Sequence, residues 1–410
     1  MSQRQKILII IVGIIVLMGF LGLLVFFFGK KSASPPPGAN TANSDISTIP
    51  SLTPENITAS SSFTQITENP VPLAYYDQGI LYSIDTNGAL WKKDLSAPTT
   101  VQTQGVSSST IAGEVIPPAP TNEAQRLGGF TVNNPNTLLV SPNGNTILIG
   151  EGTVNGQKTF SLVSQNGDPI VTLPQGVEEA AFLTNATLAY YKETISGAGI
   201  YTYTITDKKE RLIRTLNPLD IHLYRIDDTT LLLAEKPTHG ITTASFLLNM
   251  KTGVLSNYFS GFLGTSLSPL GNQRVLALTG DPIDANGNSS YHLSLLNKEG
   301  SVTHTLTIIT MPEKCVADAQ GIYLYCAIPL EWTSNMPDLS LPDDYYAQNA
   351  GFSETILRIN LQTFFTENIN QTPTLYDAVH LSLSADNTTL YFYDRRTNNE
   401  FSLLLPPPKI

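Results

Sequence analysis

The chain has 410 residues, of which 14% are charged, and its formal net charge at pH 7 is −11. Residues 63–410 alone hold 19 Lys and Arg against 32 Asp and Glu, a net charge of −13. Such a surface repels phosphate backbones, so nucleic acid is not an expected partner.

The first predicted element is a membrane-spanning helix. Ile7–Phe28 is a run of 22 residues without a charge. At about 1.5 Å per residue such a helix spans about 33 Å, enough for a hydrocarbon core of about 30 Å. A cleaved signal peptide has an apolar stretch of only about 7–15 residues and then a small-residue cleavage site. Here Gly29-Lys30-Lys31 follows a longer stretch, so residues 1–31 are predicted to be an uncleaved anchor.

The charges that flank the helix are nearly balanced. Arg4 and Lys6 precede it, and Lys30 and Lys31 follow it. The free amino terminus and the scarcity of charge after Lys31 favour a cytoplasmic N-terminus under the positive-inside rule. The remainder is then predicted to be extracytoplasmic, in a periplasm or at a cell surface.

Residues 32–62 are predicted to be a flexible tether. Ser, Thr, Pro, Asn, Ala and Gly make up 25 of these 31 residues. Such a segment buries too little apolar area to offset its ordering entropy. As a coil it would hold a domain about 30 Å from the bilayer.

Residues 63–410 are predicted to form an all-β domain. Short alternating runs, such as residues 146–150 and 390–393, are bounded by turn residues, and no sustained helical periodicity occurs. The turns include Asn-Gly dipeptides at 87–88, 143–144, 155–156, 166–167 and 286–287.

One unit recurs along this domain: a strand, a short polar turn and an apolar strand. The second strand of each copy opens near positions 80, 147, 188, 231, 275, 322 and 390. The inner spacings of 41, 43, 44 and 47 residues match one four-stranded propeller blade. The outer spacings, 67 and 68, add an insertion of about 20–25 residues to a blade of that length. Seven copies predict a seven-bladed β-propeller.

The last copy has room for only three strands before Pro406. Phe63–Thr67, which precedes the first copy, is predicted to supply the fourth strand. Such a closure ties the two ends of the domain together and removes an exposed sheet edge.

The hairpins Ser-Pro-Asn-Gly at 141–144 and Ser-Ala-Asp-Asn at 384–387 resemble the Ser-Pro-Asp-Gly turn of TolB-like, WD40-like propellers. Residues 80–92 are similar to a quinoprotein-type propeller repeat, as in envelope assembly scaffolds. The resemblance covers blades only, and no Trp-Asp dipeptide occurs. It implies a fold and little about activity, because propellers host many functions.

Cys315 and Cys326 are the only cysteines, and they flank the predicted hairpin 316–325. A two-residue turn at Gln320-Gly321 places them directly opposite each other, at the separation that a disulfide needs. An extracytoplasmic domain is therefore expected to hold a structural disulfide there. Two buried free thiols are the alternative.

Two insertions are predicted to lie on one face of the disc. Glu331–Phe352 falls between the second and third strands of its blade, and Ser96–Phe130 is placed at a crossover between blades. The first is aromatic and acidic, and a protein or glycan could dock there. Its candidate binding residues are Glu331, Trp332, Asp338, Asp343, Asp344, Tyr345 and Tyr346. In the alternative interpretation, Trp332, Tyr345 and Tyr346 simply cap the central channel.

No cofactor, metal or catalytic residue is predicted. The oxygen-rich loop Asp281, Asp284, Asn286 and Asn288 departs from the EF-hand pattern, because Ser289 stands at its sixth position, where that pattern has glycine, and no glutamate follows at its end. The histidines are scattered singly, and the common hydrolase and phosphate-loop motifs are absent.

The expected function is a non-catalytic binding or scaffold module of a bacterial cell envelope. A carbohydrate-active hydrolase or lyase with carboxylates at the channel is the first alternative, since carboxylates from separate blades leave no spacing signal. A structural spacer is the second.

Overall fold

The computed structural model describes residues 63–67, 69–77, 79–95, 123–153, 156–282, 290–330, 332, 340–347, 352–370 and 376–408. Within those ranges, no helix has the length and hydropathy that crossing a bilayer requires. The predicted anchor Ile7–Phe28 and the predicted tether at 32–62 lie outside them.

The described residues form six antiparallel sheets, and the first three follow chain order. The first contains β2 (Leu73–Asp77), β3 (Ile80–Ile84), β4 (Leu90–Asp94) and β5 (Gln125–Leu127). The second contains β6 (Pro135–Val140), β7 (Thr146–Gly152), β8 (Lys158–Ser164) and β9 (Pro169–Thr172). The third contains β10 (Val177–Thr184), β11 (Thr187–Thr194), β12 (Gly197–Thr204) and β13 (Lys209–Leu216).

The fourth sheet has seven strands because one long strand serves two groups. Its strands are β14 (Ile221–Asp227), β15 (Thr230–Glu235), β16 (Thr242–Asn249), β17 (Leu255–Gly271), β18 (Arg274–Gly280), β19 (Tyr291–Leu296) and β20 (Val302–Leu306). The first half of β17, up to Leu263, pairs with β16, and its second half pairs with β18.

The fifth sheet follows a 3-10 turn at Pro312–Lys314 and contains a short helix, α1 (Asp343–Tyr346), in one of its connections. Its strands are β21 (Cys315–Ala317), β22 (Tyr323–Pro329), β23 (Glu354–Asn360) and β24 (Thr366–Asn368). The sixth sheet combines the two ends of the described chain: β25 (Ala378–Leu383), β26 (Thr389–Asp394), β27 (Asn399–Leu404) and β1 (Phe63–Gln65).

The local sequence explains the strand positions. The second strand of each four-strand group begins within one residue of the repeat positions predicted from the sequence. These second strands are apolar and buried, as in β7 and β18, whereas the outer strand β13 is largely exposed. Four of the predicted Asn-Gly turns have glycines with φ between 73° and 86°, which a residue with a Cβ rarely adopts. The fifth, at 286–287, lies outside the described residues.

The first strands of the groups form a closed circle of contacts. The order around the circle is β2, β6, β10, β14, β17, β21 and β25. Each of these strands contacts the next, and β25 contacts β2. Phe63 in β1 pairs with Leu403 in β27, and Tyr393 Oη donates to the carbonyl of Val71 at 3.0 Å. The circle is thus closed by strands from both ends of the described chain and surrounds a central channel.

Candidate functional site

The connection between β22 and β23 packs across one end of this channel. It leaves its sheet at Pro329 and returns at Glu354, on the edge where the first strand β21 begins. We call this edge the plugged end and the opposite edge, where the first strands finish, the open end. In the connection, Trp332 is 7% exposed and Tyr345 is 1% exposed.

This connection between β22 and β23, which we call the plug, contacts the neighbouring fourth sheet. Leu341 N donates to Tyr291 Oη at 3.0 Å, and the backbone N of His239 donates to Asp343 Oδ1 at 2.9 Å. The hydroxyls of Tyr346 and Ser266 lie 3.3 Å apart. Tyr291 and Ser266 belong to the fourth sheet, and His239 lies between its strands β15 and β16, so the plug joins the fifth sheet to both groups of the fourth.

A buried network of charged side chains packs against Tyr345 of the plug. Lys314 is fully buried and donates to Glu354 Oε1 at 2.5 Å and to Asp377 Oδ1 at 2.6 Å. The other oxygen of Asp377 accepts from Arg395 Nε at 2.7 Å. The guanidinium of Arg395 lies 4.0 Å from the ring centre of Tyr345. Burial raises the pKa of Glu354, and the charge of Lys314 acts against this rise.

The candidate binding residues of this connection therefore divide into groups. Glu331 and Asp338 lie outside the described residues. Trp332 and Tyr345 are buried in this structure, and their role in binding a partner stays a prediction. Asp343 and Asp344 accept backbone hydrogen bonds within the plug region, and Tyr346 is 41% exposed. Aromatic side chains favour cores and interfaces alike, so the aromatic composition of this segment fits either position.

The predicted position of the other insertion is wrong. Ser96–Phe130 was expected at a crossover between blades, but β5 (Gln125–Leu127) pairs with β4 as the outer strand of the first sheet. The insertion therefore joins the third and fourth strands of that sheet. It leaves β4 after Asp94, which pairs with Ile80 at the edge where β2 ends. The two insertions therefore leave their sheets at opposite ends of the channel.

The open end contains a cavity of about 430 Å³. It is formed by the first strands of four groups and the turn after one of them. Its lining consists of Tyr75, Asp77, Leu139, Val140, Pro142, Ala181, Phe182, Leu223, Tyr224 and Arg225.

Burial shapes the electrostatics of this cavity. It raises the pKa of Asp77, and burial together with the nearby Asp77 raises the pKa of Tyr75 to about 12. Burial raises the pKa of Tyr224 well above its ordinary value, and Tyr346 and Glu313 add to this rise. Tyr346 and Glu313 belong to the plugged end. Tyr224 therefore lies between the two ends, and the cavity is the open part of a channel that is closed behind it.

Sequence reasoning missed this cavity, although a signal for it was present. Its lining residues, such as Leu139, Phe182 and Tyr224, stand on the first strand of each recurring unit. Because the turns between first and second strands differ in length, the lining positions stand at different distances from their second strands, and the sequence repeat alone does not align them.

A second cavity, of about 400 Å³, lies at the plugged end between the third and fourth sheets. Three carboxylates line it, those of Glu178, Glu193 and Asp220. Tyr191 Oη donates to Glu193 at 2.6 Å, and Lys236 Nζ is 2.6 Å from Asp220. Lys158 Nζ lies 3.8 Å from Glu178, so the cavity is acidic and each of its three carboxylates has a partner.

The histidines are dispersed over different elements. Within the described ranges, no group of three or more His, Cys, Asp or Glu side chains could hold a metal ion. Asp284, Asn286 and Asn288 fall outside those ranges, and Asp281 accepts from or donates to the ring of His292 at 2.8 Å, depending on their protonation. Three of the other histidines make contacts: His222 with Glu179, His239 with Leu341 and His304 with Phe364. His380 lies on β25, where desolvation lowers the pKa of its ring.

Cys315 and Cys326 form a disulfide across the hairpin of β21 and β22. Their Cα atoms are 4.1 Å apart, and the strand register places them directly opposite each other. Cys315 follows Lys314, so the disulfide fixes the start of β21 beside the buried charges that support the plug. Its place is structural, inside the core.

Comparison with known proteins identifies the fold. An oligogalacturonate lyase in complex with manganese aligns with a TM-score of 0.54 at 10% identity, over 85% of this chain and 94% of that one. The chain has a β-propeller fold. The Cps50 (Swd1) propeller domain of Myceliophteria thermophila aligns with a TM-score of 0.50 at 11% identity, over 86% and 100% of the two chains. The Pan2 WD40 domain of Neurospora crassa aligns with a TM-score of 0.50 at 10% identity, over 87% and 99%.

No protein-family model and no curated protein matches the sequence. The β-propeller prediction is confirmed at the level of fold. At these identities the alignments show the fold alone.

Proposed function

We propose that the chain is a membrane-anchored, extracytoplasmic seven-bladed propeller of a bacterial envelope that binds a protein or glycan partner without catalysing a reaction. The observation that carries this is the asymmetric channel, which is filled by the plug at one end and holds a cavity of about 430 Å³ at the other. Pockets of roughly 300–1,000 Å³ with a few polar groups are typical of binding sites. The rigid ring presents that cavity without rearrangement.

The count of seven blades is supported by the circle of first strands. Seven such strands contact one another in turn, and the shared strand β17 supplies the outer strand of one group and the first strand of the next. The closure of the sixth sheet by β1 gives its group a fourth strand.

The anchor and the location are supported by the composition of Ile7–Phe28 and of residues 32–62. The disulfide between Cys315 and Cys326 agrees with an oxidising compartment. Phe63 pairs with Leu403, on the edge where β25 ends, so the chain enters the propeller on the side of the open end. A partner at the open end would bind beside that entry point.

A site-specific cross-linking experiment tests the proposal. A photoreactive amino acid replaces Arg225 at the open end or the exposed Ala347 at the plugged end, in the full-length chain in its native membrane. We expect one defined adduct from position 225 and none from position 347. Adducts from position 347 alone would place binding on the plug, and no adduct from either would contradict the binding function.

The acidic cavity favours the enzymatic alternative as a second candidate. Glu178, Glu193 and Asp220 are carboxylates of the kind that carbohydrate-cleaving enzymes use. One solved propeller of similar fold is an oligogalacturonate lyase. If the chain were such a lyase, the purified protein with added Mn²⁺ would release unsaturated products from oligogalacturonate, and Glu193→Gln would abolish the release, whereas the exposed control Asp207→Asn would not.

A further inference from the structure

The open cavity contains a carboxylate without a counter-ion. Asp77 is the last residue of β2 and is partly buried against the cavity. Among the described residues, no hydrogen bond or ion pair engages its side chain. Arg225 lines the same cavity, but its guanidinium is 2.6 Å from Asp228. A buried charge of this kind is costly unless a partner neutralises it.

The walls beside Asp77 suit a cation on an aliphatic stem. Tyr75 and Tyr224 present aromatic rings, which attract ammonium and guanidinium groups. Leu139, Phe182 and Leu223 offer apolar surface to the methylenes of a lysine or arginine side chain. An anionic ligand would meet the unpaired carboxylate instead, so the chemistry of the cavity selects for positive charge.

The long-range field has the same sign. Residues 63–410 carry a net charge of −13, which attracts a basic partner and raises its rate of encounter.

We infer that a lysine or arginine side chain of a protein partner enters the open end of the channel, with Asp77 as its counter-ion and Tyr75 and Tyr224 as its aromatic walls. This inference rests on the proposed binding function and names the chemistry of its partner. The occupant is a protein segment because its cation must reach into a channel while the remainder stays on the rim.

The test uses the full-length protein in detergent and two fluorescent peptides. One peptide carries lysines, and the other is identical except that glutamines replace them. We expect the lysine peptide to bind more tightly than the glutamine peptide, and we expect Asp77→Asn to weaken its binding about tenfold or more, as loss of one partner of a desolvated charge pair does. Asp77→Glu keeps the charge and is expected to retain binding.

Asp207→Asn is the matched control. Asp207 lies in the exposed turn between β12 and β13, so this variant changes the net charge equally but leaves the cavity intact. No preference for the lysine peptide, or equal losses in Asp77→Asn and Asp207→Asn, would overturn the inference. In either case an adduct from position 225 would still support the proposed function, so the two failures are distinguishable. Circular dichroism of each variant identifies any loss of fold, and Asp77→Glu then carries the comparison.

Discussion

At the scale of single residues, buried charges divide into paired and weakly compensated ones. Lys314 is fully buried between the carboxylates of Glu354 and Asp377. Glu400 is buried on β27 in the sixth sheet, and burial raises its pKa from about 4.5 to about 8. Ion pairs buried as deeply as those of Lys314 add little net stability, but removing one partner is costly because it leaves an uncompensated buried charge.

Replacing Lys314 by methionine is expected to lower the free energy of unfolding by about 3–5 kcal/mol, because two carboxylates then lose their shared cation. Lys298→Met is the control, since Lys298 is exposed and its ion pair with Glu299 spans 3.6 Å at the surface. That variant should change stability by less than about 1 kcal/mol. Urea unfolding of both measures the difference, and similar small losses would show that the buried network does not support the fold.

Glu400 predicts a pH dependence with a definite sign. Because its folded pKa is raised to about 8, the folded protein keeps a proton between pH 4.5 and 8 that the unfolded chain releases. Its contribution is therefore fully present below about pH 4.5, and stability falls by about 3–5 kcal/mol as the pH rises through that window. Glu400→Gln should exceed the wild type in melting temperature at pH 8 and match it at pH 4.5.

The exposed Glu123 provides the comparison for that experiment. Glu123→Gln should follow the wild type at every pH. If Glu400→Gln also follows it, the carboxyl group is ionised in the folded state at neutral pH and the burial argument fails.

At the scale of elements, the hairpin of β21 and β22 fixes the base of the plug. Its disulfide joins residues separated by 11 positions, and both sulfurs are buried. Lys314 is the last residue of the 3-10 turn directly before β21, and the same turn contributes Glu313 to the plugged end. A loss of the cross-link would therefore affect both the hairpin and the side chains that close the channel.

Replacing both Cys315 and Cys326 by alanine should lower the free energy of unfolding by about 3 kcal/mol, the loop-entropy value for a ring of this size. Amide hydrogen exchange of the plug residues in the native state, such as Tyr345, should become faster as well. Denaturant unfolding with and without reductant measures the effect. The wild type should be sensitive to reductant and the double variant insensitive, and an insensitive wild type would contradict a stabilising cross-link.

At the scale of the whole molecule, stability depends on the closure of the ring. β1 pairs with β27, and the ring centre of Phe63 lies 5.1 Å from that of Tyr376 and 5.5 Å from that of Phe392. Since the sixth sheet contains both ends of the described chain, opening this seam exposes a strand edge and frees both ends at once.

Phe63→Ala should lower the free energy of unfolding by about 2–3 kcal/mol, since Phe63 is partly buried in this aromatic cluster. It should also raise hydrogen exchange in β25–β27 first. Phe365→Ala is the matched control, because Phe365 is 60% exposed, and it should have little effect. Equal losses in the two variants would indicate that closure by β1 does not hold the ring together.

The sequence by itself determined the elements and their order. Alternating runs, Asn-Gly turns and a recurring unit are local patterns, so they predicted the all-β fold, the start of each second strand, the pairing of Cys315 with Cys326 and the return of Phe63 to the last sheet. Each of these depends on neighbours in the chain or on a repeat length.

Only the tertiary structure decided where the channel is open. Trp332 and Tyr345 are buried, although they lie in a segment whose composition is typical of a binding loop. Cores and interfaces favour the same aromatic side chains, so composition does not distinguish the two. Tyr75, Asp77 and Tyr224 lie about 150 positions apart in the chain at their widest and meet only when the ring closes. Their proximity follows from the circular packing of first strands, which no local pattern encodes.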